Sequence, residues 1–215
     1  MTAPALSRGA VDAAVAAERH RVADLVADLT DEQWATPSLC AAWTVRDVLA
    51  HLTVTTRTTV PRLLPAAVRA RGSFDRMAVD LAAARAAAYT PAELVAQLRE
   101  SAGSARRMPG STPVDPLMDL VVHGQDVARP LGRRHVTPPD VVAACVAYVA
   151  ANRFMGGPRR LAGVQLVSTD TGWTHGEGAE LRGPDVDLLL VAAGRRAGLD
   201  ALRGPGAAVV AARLG

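Results

Sequence analysis

In Pro116-Leu117-Met118-Asp119-Leu120-Val121-Val122-His123-Gly124-Gln125-Asp126-Val127-Ala128-Arg129, the apolar residues Leu117, Leu120, Val121 and Val127 recur at helical spacing, which predicts a helix over 116–131. Asp119 and His123 stand four apart and fall on one face of that helix, one turn from each other, where both can reach a single ion. The fold follows from what must surround such a helix.

Upstream the chain carries further helix signals. Val11, Val15, Val22, Leu25, Val26 and Leu29 recur at roughly helical spacing. Thr30-Asp31-Glu32-Gln33 and Thr44-Val45-Arg46-Asp47 have the pattern of capping boxes, and the second opens a helix through Val48, Leu49, His51 and Leu52 that Pro61 interrupts. Phe74, Met77 and Leu81 mark another helix. Thr90-Pro91-Ala92-Glu93 joins an N-cap to a proline at the first helical position and an acid in the first turn. Residues 108–113 read as a loop, and Thr137-Pro138-Pro139-Asp140 opens a helix ending near Gly156-Gly157.

After Pro158 the pattern changes. Val164–Val167 is strand-like, Asp170-Thr171-Gly172 is a turn, and Trp173–His175 and Ala179–Arg182 can pair beyond it. Asp185 starts a short helix that Gly194 ends, and Ala207–Leu214 supplies a last element. The expected fold class is α+β: a helical bundle over 1–157 and a small α/β domain over 158–215.

The chain has 215 residues, 49% hydrophobic and 21% charged, enough to bury a core without disulfides. All 24 basic residues are arginine, and the formal net charge is only +3 because Asp and Glu alternate with them. That lacks the concentrated basic stripe of a nucleic-acid surface. No apolar run approaches the ~20 residues of a membrane span, and the opening residues lack a signal peptide's apolar core, so a cytoplasmic protein is expected. Cys40 and Cys145 are too few for a disulfide framework or a cysteine zinc module, and both read as structural, small hydrophobes. Gly176-Glu177-Gly178 is no phosphate loop, since it lacks the lysine and the following helix.

Any metal must therefore be held by histidine and carboxylate. His51 lies on a separate helix that a bundle can bring alongside Asp119 and His123, giving a two-histidine, one-carboxylate set with open positions that suits Zn²⁺ or another divalent ion. Asp126 is a candidate partner for the second ring N–H of a ligating histidine. Spacing alone favours His51 packing behind Trp43 as a core residue, with Asp119 and Asp126 as helix charges.

Three stretches bear on that choice. Leu29–Trp34, Pro37–Cys40 and Trp43–Leu52, then Asp119–Arg129, then Thr169–Trp173 with Gly176–Gly178 and Gly183-Pro184 leading to Ala193-Gly194-Arg195, together resemble the mycothiol-dependent maleylpyruvate isomerase family, within the DinB-like metal-binding four-helix bundles. The resemblance implies a DinB-like four-helix bundle with a small C-terminal α/β domain, and metal ligands at His51, Asp119 and His123. The family pattern has glutamate where this chain has Asp119, one methylene shorter, so the helix must approach the ion more closely.

The resemblance also implies mycothiol as a thiol cosubstrate beside a divalent metal, most simply Zn²⁺. A metal-bound thiol ionises at neutral pH. Conjugate addition of that thiolate to an activated cis alkene makes the double bond single, so that it rotates before the thiolate leaves as the trans isomer forms. The same thiolate can instead stay attached to an electrophile, which is S-transfer. No catalytic side chain is expected beyond the metal site. The expected partners are mycothiol and a small electrophilic substrate, on a monomer or homodimer. Arg195 and Arg76 are candidates for gripping carboxylates, and Trp173 for walling the cofactor pocket, though each also reads as an ordinary surface or core residue. A non-enzymatic metal- or ligand-binding stress protein is the alternative on the same fold.

Overall fold

The computed structural model describes residues 6–41, 43–58 and 60–214, and for 60–64 the backbone alone. Eleven helices, one 3₁₀ turn and three strands are described: α1 (Arg8–Leu25), α2 (Asp31–Trp34), α3 (Val45–Arg57), α4 (Val60–Arg69), α5 (Phe74–Ala88), α6 (Pro91–Glu100), α7 (Asp115–Ala128), α8 (Pro139–Ala151), α9 (Gly157–Arg160), β1 (Val164–Ser168), β2 (Thr174–His175), β3 (Ala179–Gly183), α10 (Asp185–Ala192), a 3₁₀ turn (Arg196–Ala201) and α11 (Gly206–Ala211). The architecture is α+β, mostly helical with one small sheet. Among the described residues no helix is long and apolar enough to cross a membrane.

Among the described residues, contacts gather the chain into two units, one over 12–135 and one over 136–214 with 6–11. The expected division at 157/158 differs from this grouping because α8 packs against α10, inside the second unit.

In the helical unit the capping boxes begin their helices as expected. The Thr44 hydroxyl accepts from the Asp47 N–H at 3.3 Å while the Asp47 carboxylate accepts from the Thr44 N–H at 2.9 Å, so two orphan donors at the start of α3 are satisfied reciprocally. Thr90 and Glu93 do the same for α6, with Pro91 at its start. α3 packs against α5, α6 and α7, burying Val45, Val48, Leu49 and Leu52. α7 is buried on nearly every side, as a helix passing through a core must be. The Arg19 guanidinium fastens α1 to the end of α6, donating to the carbonyls of Ser101, Ala102 and Ser104 at 2.6, 3.1 and 2.8 Å.

In the second unit the sheet order is β2-β1-β3. β2 runs antiparallel to β1, with Leu166 opposite His175, and β3 runs parallel to it, with Leu166 opposite Leu181. The two outer strands thus flank β1. To cross from one edge to the other the chain passes close to the start of β1: a Cβ on Gly178 (φ 120°) would stand 2.2 Å from the Gly163 carbonyl oxygen. The glycines of 176–178 serve this crossing.

Candidate metal centre

α3 contributes His51 and α7 contributes Asp119, His123 and Asp126. The carboxylate of Asp119 spans the two imidazoles: Oδ2 lies 3.3 Å from His51 Nε2 and Oδ1 lies 3.3 Å from His123 Nε2. One ligand atom from each of the three falls within 4.8 Å of the others. The opposite nitrogen of His123, Nδ1, is 2.9 Å from Oδ2 of the fully buried Asp126. The shorter aspartate therefore reaches both histidines from α7 without any extra methylene.

The separations are compatible with shared ligation as well as with ion pairing. Charge-assisted N–H···O⁻ bonds settle near 2.7–2.9 Å, whereas two donors each about 2.0–2.1 Å from one tetrahedral ion stand about 3.3 Å apart. The donor chemistry also fits: two imidazoles with two carboxylates nearby carry two negative charges when the histidines are neutral, which a divalent cation offsets. His51 Nδ1 is buried without a hydrogen-bond partner, so Nε2 is the nitrogen of His51 that faces other ligands.

Trp43 closes one side of the cluster. Its ring centroid is 4.8 Å from that of His51 and 5.8 Å from that of His123, and the two imidazoles meet edge to face at 5.0 Å. His51 packs against Trp43, as the core reading of the sequence allowed, and it also turns Nε2 to Asp119.

The electrostatics follow from this packing. Burial alone would raise the Asp119 carboxyl, but the adjacent His51 and His123 outweigh it and hold the group far below the usual carboxylate range. Burial would lower His123, yet Asp119 and Asp126 push it up to about 9. A group this strongly perturbed, among partners of opposite charge, is the signature of a functional site as well as of a structural ion pair.

The remaining candidates belong to other elements. Arg76 is exposed in the first turn of α5, where its backbone N–H donates to Ser73 Oγ. Arg195 belongs to the second unit, half-buried just beyond α10, with Nη1 donating to the Ala193 carbonyl at 2.8 Å. Trp173 is buried in that same unit at 1% exposure.

The sequence reading did not place an acid–base pair beside Cys40. The structure does: Cys40, His123 and Asp126 form a second group with ligand atoms within 4.8 Å of one another. A tight turn is responsible, in which the Ser38 N–H donates to the Trp43 carbonyl at 2.9 Å and the Leu39 N–H to the Asp126 carbonyl at 3.1 Å. Also missed was the support behind α7. His135 lies against Gly124, where a Cβ would stand 2.4 Å from its Nε2, and that nitrogen is 3.0 Å from the buried Glu18 carboxylate.

Residues 15–117 match the family model described as the mycothiol maleylpyruvate isomerase N-terminal domain. That match falls within the helical unit. The match includes His51 and ends two residues before Asp119. Two solved structures are similar in fold over 93% of this chain and 93% of their own. One is the mycothiol-dependent maleylpyruvate isomerase, with a TM-score of 0.59, and the other is a histidine-to-alanine mutant of a protein so named, with a TM-score of 0.62; each shares 12% identity with this chain. No curated protein matches it by sequence.

Proposed function

We propose that this chain is a divalent-metal-dependent enzyme that uses a low-molecular-weight thiol, mycothiol, in cis–trans isomerisation or S-transfer on a small electrophile. The observation that carries the metal is the single carboxylate of Asp119 placed 3.3 Å from both His51 and His123. The thiol and the reaction class rest on the family match of the helical unit.

His51, Asp119 and His123 would hold the ion. A divalent ion bound there supplies a Lewis acid that keeps a coordinating thiol ionised at neutral pH. Asp126 positions His123 by accepting from Nδ1–H, which fixes the tautomer with Nε2 unprotonated and facing the ion site. Trp43 covers the two imidazoles and excludes water from that side, strengthening every electrostatic interaction within the cluster. Three protein ligands leave a position for an exogenous donor. Zinc fits this nitrogen and oxygen set best, because imidazole with one carboxylate suits it and no redox role is required.

The test is elemental analysis of untagged protein together with turnover of a panel of cis-enediones and electrophiles, with and without mycothiol. Near-stoichiometric zinc and turnover that needs the thiol are expected, both falling in His51→Ala. Metal-loaded protein with no thiol-dependent turnover of any substrate would overturn the enzymatic reading and leave a metal-binding protein on the same fold.

A further inference from the structure

The imidazole of His123 faces two carboxylates through its two nitrogens, Nε2 towards Asp119 at 3.3 Å and Nδ1 towards Asp126 at 2.9 Å. Only the first side belongs to the cluster described above. On the second side stands a third ligand type, the Cys40 thiol, with sulfur, ring nitrogen and carboxylate oxygen all within 4.8 Å of one another. The placement is built by the backbone. Ser38 Oγ accepts from the Cys40 N–H at 3.1 Å, and the Leu39 N–H is tied to the carbonyl of Asp126, the residue whose carboxylate completes the group. Asp126 is fully buried and His123 is 7% exposed, while Cys40 is half-buried.

We propose that Cys40, His123 and Asp126 form a second cation site, sharing His123 with the first set, that takes a thiophilic divalent ion. Soft thiolate sulfur distinguishes this donor set from the nitrogen and oxygen set of His51, Asp119 and His123. Binding releases the thiol proton to solvent, and thiolate plus carboxylate then balance the two charges of the ion. The adjustment required is small on one edge: Nδ1 and the Asp126 oxygen must open from 2.9 Å to about 3.3 Å for a tetrahedral ion, while the sulfur closes in.

The two sets are alternatives. A neutral imidazole keeps one ring proton. With an ion on the Nε2 side, Nδ1–H donates to Asp126; with an ion on the Nδ1 side, Nε2–H faces Asp119. A thiophilic ion that captures His123 from the Cys40 side therefore dismantles the first set. This site stands whether or not the thiol-dependent reading holds.

Cadmium reports the site directly, because thiolate ligation produces a ligand-to-metal absorption band in the ultraviolet that nitrogen and oxygen ligands do not. In His51→Ala, which disables the first set, Cd²⁺ is expected to raise this band to saturation at one equivalent. Adding Cys40→Ser to that variant is expected to abolish it, and adding Cys145→Ala is not. His51→Gln gives the same reading should the alanine variant lose its helical circular dichroism. Absence of the band in the folded His51 variant, or its survival when Cys40 is replaced, would overturn the proposal.

Discussion

Asp126 in the helical unit and Asp185 in the sheet unit are both fully or almost fully buried, yet they are held by different kinds of partner. Asp126 faces an imidazole at 2.9 Å, and beyond that ring Asp119 stands 3.3 Å from each of two histidines. Asp185 accepts from the Thr171 hydroxyl at 2.9 Å, and its own N–H donates to the Asp170 carboxylate at 2.9 Å. One arrangement collects ligand-type side chains from separate helices. The other fastens a turn to the start of α10 and satisfies a first-turn donor of that helix. Burial of an acid therefore does not mark a site by itself; the chemistry of its partners does.

The largest effect expected from this contrast is on metal content. Asp119→Ala should lose essentially all bound ion, while Asp185→Ala should retain it, and elemental analysis of the two untagged variants separates them. If both retain metal, the distinction between the two regions fails.

Stability of the metal-free protein should respond at both positions. Asp185→Ala removes the buried carboxylate that accepts from the Thr171 hydroxyl and is expected to cost about 1–3 kcal/mol in chemical denaturation. Asp119→Ala, measured in metal-free protein near neutral pH, should also lose stability, because it removes the carboxylate that His51 and His123 hold in its charged form.

A smaller effect belongs to Asp126. Asp126→Asn keeps the shape and removes the charge that orients His123, so metal affinity should fall roughly 10- to 100-fold in a competitive chelator titration. Unchanged affinity would mean that His123 is positioned by packing alone.

The smallest contrast is in pH dependence, read by denaturation of metal-free protein. His123 is pushed above its ordinary value of 6.5 to about 9, so its contribution is fully present below 6.5 and is lost as pH rises through about 9. Asp185 is raised above 3.8, first by burial, with the Ser168 and Thr171 hydroxyls opposing. Its contribution is present below 3.8 and lost as pH rises through the elevated folded value. His123→Gln should therefore flatten the alkaline loss, and Asp185→Asn the acidic one.

What the sequence made legible was what depends on near neighbours. The capping boxes at Thr44 and Thr90 involve residues three apart, and they start α3 and α6 as the pattern requires. The Asp119 and His123 spacing on α7 was equally local, whereas pairing them with His51 required a helix-to-helix contact that a bundle allows and that the family resemblance selected. Cys40 was read as an inert small hydrophobe because its proximity to His123 depends on a turn docking its backbone onto Asp126, a contact between residues nearly ninety positions apart. The sheet was legible as strands but not in its order: β3 pairs with β1 on the edge opposite β2, and two- to five-residue strands carry too little pattern to specify which edge they take.

Gly124 sets a limit on engineering this protein for greater heat tolerance. Replacing glycine with alanine inside a helix is a standard stabilising substitution, worth about 1 kcal/mol from propensity alone. At this position the added methyl would stand 2.4 Å from the ring of His135, which is itself 2% exposed and set 3.0 Å from a buried glutamate, so the ring has little room to withdraw. The strain would pass into the backbone one residue from His123. A consensus-style stabilisation campaign that scores helix positions independently would select this change and trade the alignment of His123 with its two carboxylates for a more favourable helix.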